Sequence, residues 1–220
     1  MMAHVLHLDA SPRGERWRSL SGRESHSRRI TRAFVEQWKQ AHPSDFVTYR
    51  DIGRTPVPHV TEAWIAAAFT PVEQCTPEMH DALAISDELV DEFLAADVYV
   101  MGIPMYNWTV SSGFKAYIDN IVRINRTWAY IPDENPEFPY KPLVHGKKMF
   151  VISARGDGGF APGGRNAQRD FLTPYVKEAF AMLGVTDITF VNLENDEYGG
   201  QKLADSIAAA RAQVTQLIAA

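Results

Sequence analysis

The sequence has little of what a disulfide-stabilised or membrane-spanning protein needs. Its 220 residues include a single cysteine, Cys75, which has no partner for an internal disulfide bond. No apolar run approaches the roughly 20 residues of a membrane-spanning helix, and the amino terminus lacks the basic and apolar segments of a secretory signal. These absences predict a protein of the reducing cytoplasm, without a membrane span, that folds around its own hydrophobic core.

The charge balance also excludes some partners. The chain carries 22 Lys and Arg against 27 Asp and Glu, a formal net charge of -5, and it contains no recognisable DNA-binding or RNA-binding motif. We therefore expect no nucleic-acid partner. The histidines are scattered, and His4 and His7 would point to opposite faces of a strand, so we expect no metal site. A Walker Gly-x-x-x-x-Gly-Lys-Ser/Thr loop is absent too, which argues against nucleoside triphosphate hydrolysis.

Short apolar runs alternate with helical patterns along the whole chain. The runs are rich in Val, Ile, Phe and Tyr and predict buried strands at 4–8, 46–49, 98–103, 149–152 and 188–191. Apolar residues at helical spacing predict helices over 30–41, 83–94, 114–122 and 203–218. A further helix is expected to begin near Thr173 and Pro174, as an N-cap followed by proline at the first helical position.

Five strands alternating with five helices predict an α/β fold in a single domain covering residues 1–220. The expected architecture is a five-stranded parallel sheet of flavodoxin-like order 2-1-3-4-5, with helices on both faces. In that order the winding direction reverses between strands 1 and 3, which leaves a ligand-binding crevice at their carboxyl ends. Segments 53–77 and 126–142 are interpreted as insertions, because their composition does not indicate separate domains.

The first of the two loops at this crevice suits an anionic ligand. Residues 10–32 contain seven arginines and two glutamates, and Ser25, His26 and Ser27 come directly before a helix. A helix amino terminus presents unpaired N–H groups, and the hydroxyls of Ser11, Ser25 and Ser27 add further donors for phosphate oxygens. An alternative is that Ser25 or Ser27 only caps the helix.

The second loop follows strand 3 and reads Pro104-Met105-Tyr106-Asn107-Trp108. We expect it to be an extended loop that places two aromatic side chains and an asparagine at the mouth of the crevice. Beside a phosphate site, a loop of this kind favours a planar ligand that carries a phosphate, and flavin mononucleotide (FMN) is the obvious one.

These two loops, together with residues 115–119 and 173–175, resemble the FMN-dependent NADH azoreductases, also called NADH:quinone oxidoreductases. The similarity covers nearly the full chain, and the Pro-Met-Tyr-Asn-aromatic segment is its most specific mark. By resemblance, Ser11 and the serines before the first helix hold the FMN phosphate, while residues 105–108 run along the ribityl chain and the ring system. The implied flavin-binding residues are Ser11, Ser25, His26, Ser27, Pro104, Met105, Tyr106, Asn107, Trp108, Ala154, Arg155, Gly156 and Asp157.

Two further expectations depend on this resemblance. The family's third flavin segment usually reads Ser-Arg-Gly-Gly, whereas this chain has Ala154-Arg155-Gly156-Asp157, and we expect the Asp157 carboxylate to point to solvent, away from reduced flavin. The residues implied to line the slot for flat substrates are Trp108, Trp128, Tyr130 and Met182. Trp128 and Tyr130 lie on the insertion that in the family reaches over the partner subunit's flavin, which implies a homodimer.

The implied activity is electron transfer from NADH or NADPH to quinones, azo dyes or nitroaromatics in a ping-pong cycle, with the chemistry carried by the flavin. Arg13, Arg16 and Arg18 leave room for the 2′-phosphate of NADPH. Two alternatives stay open. A flavodoxin-like electron carrier would bind flavin without oxidising NADH. An acyl carrier protein phosphodiesterase, a label given to similar proteins, would need Ser11 or Ser25 as nucleophile, although no Gly-x-Ser-x-Gly elbow is present.

Overall fold

The computed structural model describes residues 2–14 and 25–219, which form eight strands and six α-helices within those ranges. In chain order the strands are β1 (His4–Asp9), β2 (Phe46–Asp51), β3 (Val98–Tyr106), β4 (Thr109–Val110), β5 (Trp128–Tyr130), β6 (Tyr140–Pro142), β7 (Lys148–Ala154) and β8 (Asp187–Leu193). The helices are α1 (His26–Ala41), α2 (Glu62–Ala68), α3 (Pro77–Ala95), α4 (Ser112–Ile121), α5 (Leu172–Leu183) and α6 (Gly200–Ala219).

The main sheet runs in the order β2-β1-β3-β7-β8, with all four of these pairings parallel. The five predicted strands are therefore all present, and the predicted order 2-1-3-4-5 is confirmed. Each strand is longer than predicted. The carboxyl end of β3 extends three residues beyond the prediction, because Pro104 pairs with Ala154 of β7 and the next two residues pair with β4.

Two hydrophobic cores cover the two faces of the sheet, because successive strand residues point to opposite sides. On one face, Leu6, Leu8 and Met101 pack with residues of α3, α4 and α5. On the other face, Val5 and Val100 pack with residues of α1 and α6. The predicted covering of both faces by helices is thus confirmed.

The two insertions carry structure that the sequence patterns did not predict. Segment 53–77 contains α2, which is capped by the Thr61 hydroxyl accepting from the Trp64 amide at 3.2 Å. Segment 126–142 contains the antiparallel pair β5 and β6, with Tyr130 opposite Tyr140. Elements of seven and three residues are too short to show a helical or alternating period.

The start of α5 was predicted wrongly. The helix begins at Leu172, so Thr173 lies inside its first turn instead of forming the N-cap. Asp170 supplies the capping oxygens: its carboxylate accepts from the Thr173 amide at 2.9 Å and from the Thr173 hydroxyl at 2.7 Å. A carboxylate near a helix amino terminus is favoured by the unpaired amides there, which explains why the helix starts earlier.

None of the helices formed by residues 2–14 and 25–219 is both long and apolar enough to cross a membrane.

Candidate functional site

A cavity opens at the carboxyl ends of β1, β3 and β7, where the predicted crevice lies. Nine of the predicted flavin-binding residues line it: Ser11, Ser25, His26, Ser27, Pro104, Met105, Tyr106, Ala154 and Gly156. The parallel sheet brings these residues together from three separate stretches of the chain.

The amino terminus of α1 forms the polar wall of this cavity. The Ser25 hydroxyl caps the helix by accepting from the Arg28 amide at 3.4 Å, and it lies 3.2 Å from the Ser27 hydroxyl. Ser25 therefore does cap the helix, and it lines the cavity at the same time. The Ser11 hydroxyl, opposite, accepts from the Arg13 amide at 3.3 Å. The first amides of α1 have no acceptor within the helix, so this wall can bind an anion.

Charged side chains complete the polar end. Arg13 Nη1 lies 3.3 Å from one carboxylate oxygen of Asp196, and His26 Nε2 lies 3.4 Å from the other. Asp196 follows β8 and so reaches the cavity from the same edge of the sheet. It holds Arg13 and His26 beside the serine hydroxyls, where a cation and a ring N–H can both meet an anionic group.

A second cavity adjoins the first and shares Met105, Gly156 and Glu197 with it. Its aromatic walls are Trp108 and Phe160, whose ring centres are 6.1 Å apart. The two cavities form one elongated cleft with a polar end and an aromatic end.

The segment before the aromatic end is a tight hairpin, which corrects the expectation of an extended loop. β3 pairs with β4 through Tyr106 and Thr109, and Asn107 and Trp108 form the turn between them. Both turn residues have positive φ, 48° and 70°, as a two-residue hairpin of this type requires. Tryptophan rarely adopts this conformation, and such strain is often kept at functional sites. The turn leaves the Trp108 ring 42% exposed above the cleft.

The Asp157 side chain was expected to point to solvent, but the structure shows otherwise. Its carboxylate turns into its own loop, where it accepts from the Gly158 amide at 2.7 Å and from the Asn166 side chain at 2.9 Å, and it pairs with Arg165. Partial burial opposes ionisation, but these hydrogen bonds and the Arg165 charge together lower the pKa of Asp157. The carboxylate therefore stays ionised, and its charge is balanced within the loop.

Arg155, another predicted flavin-binding residue, has its side chain buried beneath the cleft. Only 1% of it is exposed, and its guanidinium reaches Thr173 Oγ1 at 2.9 Å and Asp170 at 3.0 Å. The side chain thus ties the segment after β7 to the start of α5 and does not line either cavity.

Of the four predicted substrate-slot residues, only Trp108 lines the cleft. Trp128 is 8% exposed and packs in the core next to Tyr140, with its indole N–H unpartnered. Tyr130 is 56% exposed on the β5–β6 hairpin, and Met182 packs half-buried against the core. Within one chain the structure does not bring these three side chains to the cleft.

Several cleft residues were not predicted as flavin-binding: Arg13, Phe160, Asp196 and Glu197. Asp196 and Glu197 follow β8, and all parallel strands end at the same edge, so this rule would have pointed to them. Arg13 was predicted as part of the arginine-rich loop for an anionic ligand and as room for a 2′-phosphate, and it lines the polar end with the serines. Arg16 and Arg18, named with it, lie outside the described residues.

Among residues 2–14 and 25–219, no group of three or more His, Cys, Asp or Glu side chains is placed to hold a metal ion.

The sheet order and the cleft at its switch point define a flavodoxin-like α/β protein, and the family profile described as flavodoxin-like fold matches residues 3–218. The FMN-dependent NADH:quinone oxidoreductase of Nostoc punctiforme is 49% identical over 218 residues, which are 99% of each chain. The FMN-dependent NAD(P)H:quinone oxidoreductase 1 of Pseudomonas aeruginosa is 41% identical over 93% of each chain. The crystal structure of an azoreductase from Bacillus anthracis superposes with a TM-score of 0.84 at 26% identity, over 99% of each chain.

The chain therefore belongs to the flavodoxin-like family of FMN-dependent NADH:quinone oxidoreductases. The resemblance predicted from the sequence loops is confirmed.

Proposed function

We propose that the protein is an FMN-dependent oxidoreductase that passes electrons from NADH or NADPH to quinones or azo compounds. The observation that carries this proposal is the elongated cleft, whose polar end at the α1 amino terminus continues into an aromatic end. Relatives at 49% and 41% identity carry the names of FMN-dependent NADH and NAD(P)H:quinone oxidoreductases.

The residues of the cleft fit FMN at both ends. Buried hydroxyls of Ser11, Ser25 and Ser27, together with the first amides of α1, offer donors to a phosphate. Trp108 and Phe160 offer flat apolar surfaces to a ring system. Gly156 lines both cavities, where the two ends meet. A Cβ at this position would lie 2.6 Å from the Glu197 side chain, so the packing there requires glycine.

When bound, FMN supplies the hydride and electron transfer chemistry. The protein's residues bind and orient it. Ser11, Ser25 and Ser27, the serine wall, would hold the phosphate, and residues 104–108 are proposed to lie along the flavin from its side chain to its ring. Trp108 is 42% exposed at the aromatic end. We propose that donor and acceptor would bind there in turn, as a ping-pong cycle requires.

The acceptor slot is proposed to be completed by a second copy of the chain. Trp128, Tyr130 and Met182 do not reach the cleft of their own chain, and Tyr130 stands exposed on the β5–β6 hairpin. A homodimer in which this hairpin covers the partner's cleft would bring Tyr130 to the acceptor. That the protein forms a single domain and works in the cytoplasm both stay predictions from the sequence.

The test is a flavin and turnover assay of the purified full-length protein. We expect the protein to bind FMN. In the absence of air, NADH or NADPH should bleach the bound flavin, and a quinone or an azo dye should then restore its colour. Initial rates measured over both substrates should give parallel double-reciprocal lines. A protein that ignores added FMN would refute the proposal, and one that binds FMN without consuming NADH or NADPH would indicate an electron carrier. Release of phosphopantetheine without flavin would instead support the phosphodiesterase alternative.

A further inference from the structure

We propose that Arg28 is a positioning residue that holds the Ser11 carbonyl away from the FMN phosphate. The hydrogen-bond geometry of the Arg28 guanidinium, and not its charge, then sets the affinity for a phosphorylated flavin. The inference rests on the proposed function and names a residue outside the cavity lining.

Arg28 lies in the first turn of α1, yet only 1% of it is exposed. Its Nε donates to the Ser11 carbonyl oxygen at 2.9 Å, and its Nη2 donates to the same oxygen at 2.5 Å. Two donors from one rigid guanidinium therefore fix the orientation of a single peptide group.

The orientation of this peptide matters because of its place in the cavity wall. Ser11 lines the polar cavity, and the next residue is Pro12, so the peptide between them has a carbonyl oxygen but no N–H. If the peptide rotated, it could present only a partially negative oxygen to the bound anion. By holding the carbonyl on the far side, Arg28 leaves the Ser11 hydroxyl as the group that faces the phosphate.

The guanidinium is itself held by groups on β1 and β2. Asp51 accepts from it twice, from Nη1 at 2.8 Å and from Nη2 at 2.5 Å. Nη1 also donates to the Tyr49 hydroxyl at 2.9 Å, and the Tyr49 hydroxyl donates to Asp9 at 3.1 Å. The network thus joins β1 and β2 to the loop after β1 that carries Ser11, called here the phosphate loop.

Gly53 shows how closely these groups approach. A Cβ at this position would lie 2.1 Å from the Ser11 carbonyl oxygen and 2.9 Å from Arg28 Nη2. Any side chain would therefore displace the carbonyl or the guanidinium, so the contact depends on glycine there.

The charges of the network argue against a simple electrostatic role. Arg28 is buried next to two carboxylates, Asp51 in direct contact and Asp9 at 3.6 Å. Burial opposes the charge of Arg28, but the Asp51 hydrogen bonds and the charge of Asp9 raise its pKa, so it stays ionised. Since two carboxylates offset one guanidinium, Arg28 adds little net attraction for phosphate.

The experiment compares FMN with riboflavin, which lacks only the phosphate. Dissociation constants for both are measured on flavin-stripped full-length protein by quenching of flavin fluorescence. Arg28→Lys keeps the positive charge but cannot form the fork, that is, the two hydrogen bonds from one guanidinium to the Ser11 carbonyl. Arg28→Met removes both the charge and the fork. We expect each variant to weaken FMN binding by about tenfold or more while riboflavin binding changes by less than about twofold, since the loss is confined to hydrogen bonds at the phosphate.

Arg50→Lys is the matched control. Arg50 lies next to Asp51 on β2 and forms a similar fork, with Glu92 and Glu88, that does not reach the phosphate loop. Losing that fork should leave the ratio of the two dissociation constants unchanged, even if stability falls. If the Arg28 variants do not fold, Asp51→Asn, which weakens the grip on the guanidinium, should show the same selective loss of FMN.

The outcomes separate the inference from the proposed function. A wild-type FMN-to-riboflavin ratio in Arg28→Lys would show that charge alone suffices and would overturn the inference. Equal loss of both flavins in the Arg28 variants, or in Asp51→Asn, would overturn it as well, because the role would then be general stability. Wild-type protein that binds neither flavin would instead overturn the proposed function, and the inference with it.

Discussion

Asp157 shows at the scale of single residues how neighbours decide what a side chain does. The sequence places a carboxylate where the family usually has glycine, and from sequence it was expected to face solvent. In the structure it accepts from Gly158 and Asn166 and stabilises the turn that shapes the cleft. The position of the serines was easier to predict, because hydroxyl residues directly before a helical pattern are a local signal of the helix amino terminus. The side-chain direction of Asp157 depends on Asn166, nine residues away in the chain.

We expect Asp157→Ala to lower the free energy of unfolding by about 1–3 kcal/mol, because the Asn166 side chain, 2% exposed, loses an acceptor. Urea denaturation at neutral pH measures this. Arg165→Ala is the control: its side chain is 63% exposed, so solvent screens the ion pair and removing it should cost clearly less than Asp157→Ala does. Equal losses of unfolding free energy in the two variants would contradict the stabilising role of the Asp157–Asn166 hydrogen bond.

The stability difference between wild type and Asp157→Ala should depend on pH. The pKa of Asp157 is lowered in the folded protein below its ordinary value of 3.8. Its contribution to stability is therefore fully present above that value and is lost as the pH falls through the folded pKa. The difference between wild type and Asp157→Ala should narrow in strongly acidic buffer.

At the scale of elements, β1, β3 and α1 approach one another closely at Gly102. Gly102, on β3, faces Asp9 and Thr31, and a Cβ there would lie 2.4 Å from Asp9 Oδ1 and 3.0 Å from Thr31 Cγ2. The five main strands followed from apolar runs in the sequence, and their order followed from the commonest arrangement of such a parallel sheet. The approach at Gly102 did not, because it joins residues of three separate elements.

Two glycine-to-alanine changes test this contact. Gly102→Ala should destabilise the protein by about 1–3 kcal/mol, because the added methyl group has no room beside the Asp9 carboxylate. Gly113→Ala, in the first turn of α4, meets nothing closer than the Ile52 carbonyl at 3.6 Å and should stabilise by about 0.4–1 kcal/mol. Thermal unfolding followed by circular dichroism gives both values. An unchanged melting temperature for Gly102→Ala would show that the strands can separate at no cost.

At the scale of the whole molecule, exposed aromatic side chains mark a surface that one chain does not bury. Tyr130, Phe138 and Tyr140 are 56%, 52% and 39% exposed, and their rings contact one another on the β5–β6 hairpin and its connecting loop. Contiguous exposed apolar surface of this kind is typical of interfaces. It supports the proposed dimer.

We expect sedimentation velocity to give the mass of two chains for the wild type. Replacing Tyr130 and Phe138 together by Glu should weaken dimerisation by at least about tenfold, since charges would replace two rings that the dimer is proposed to bury. FMN should still bind at the serine wall, while quinone reduction falls. Phe46→Glu, at a residue 48% exposed on the edge strand β2, is the control and should leave the dimer intact. A wild type with the mass of one chain would contradict the dimer.

The sequence by itself determined the α/β class, the five main strands and the two loops that meet at the cleft, because apolar periodicity and helix-start residues are local signals. The strand order followed from the commonest arrangement of five such strands. It also carried the family resemblance, through the Pro104–Trp108 motif. Only the tertiary structure decided where side chains point: Arg155 under the cleft, Asp157 into its loop, and Asp196 and Glu197 beside the serines. It also revealed the grip of Arg28 on Ser11. These contacts join residues far apart in the chain, and no local pattern encodes the distance between them.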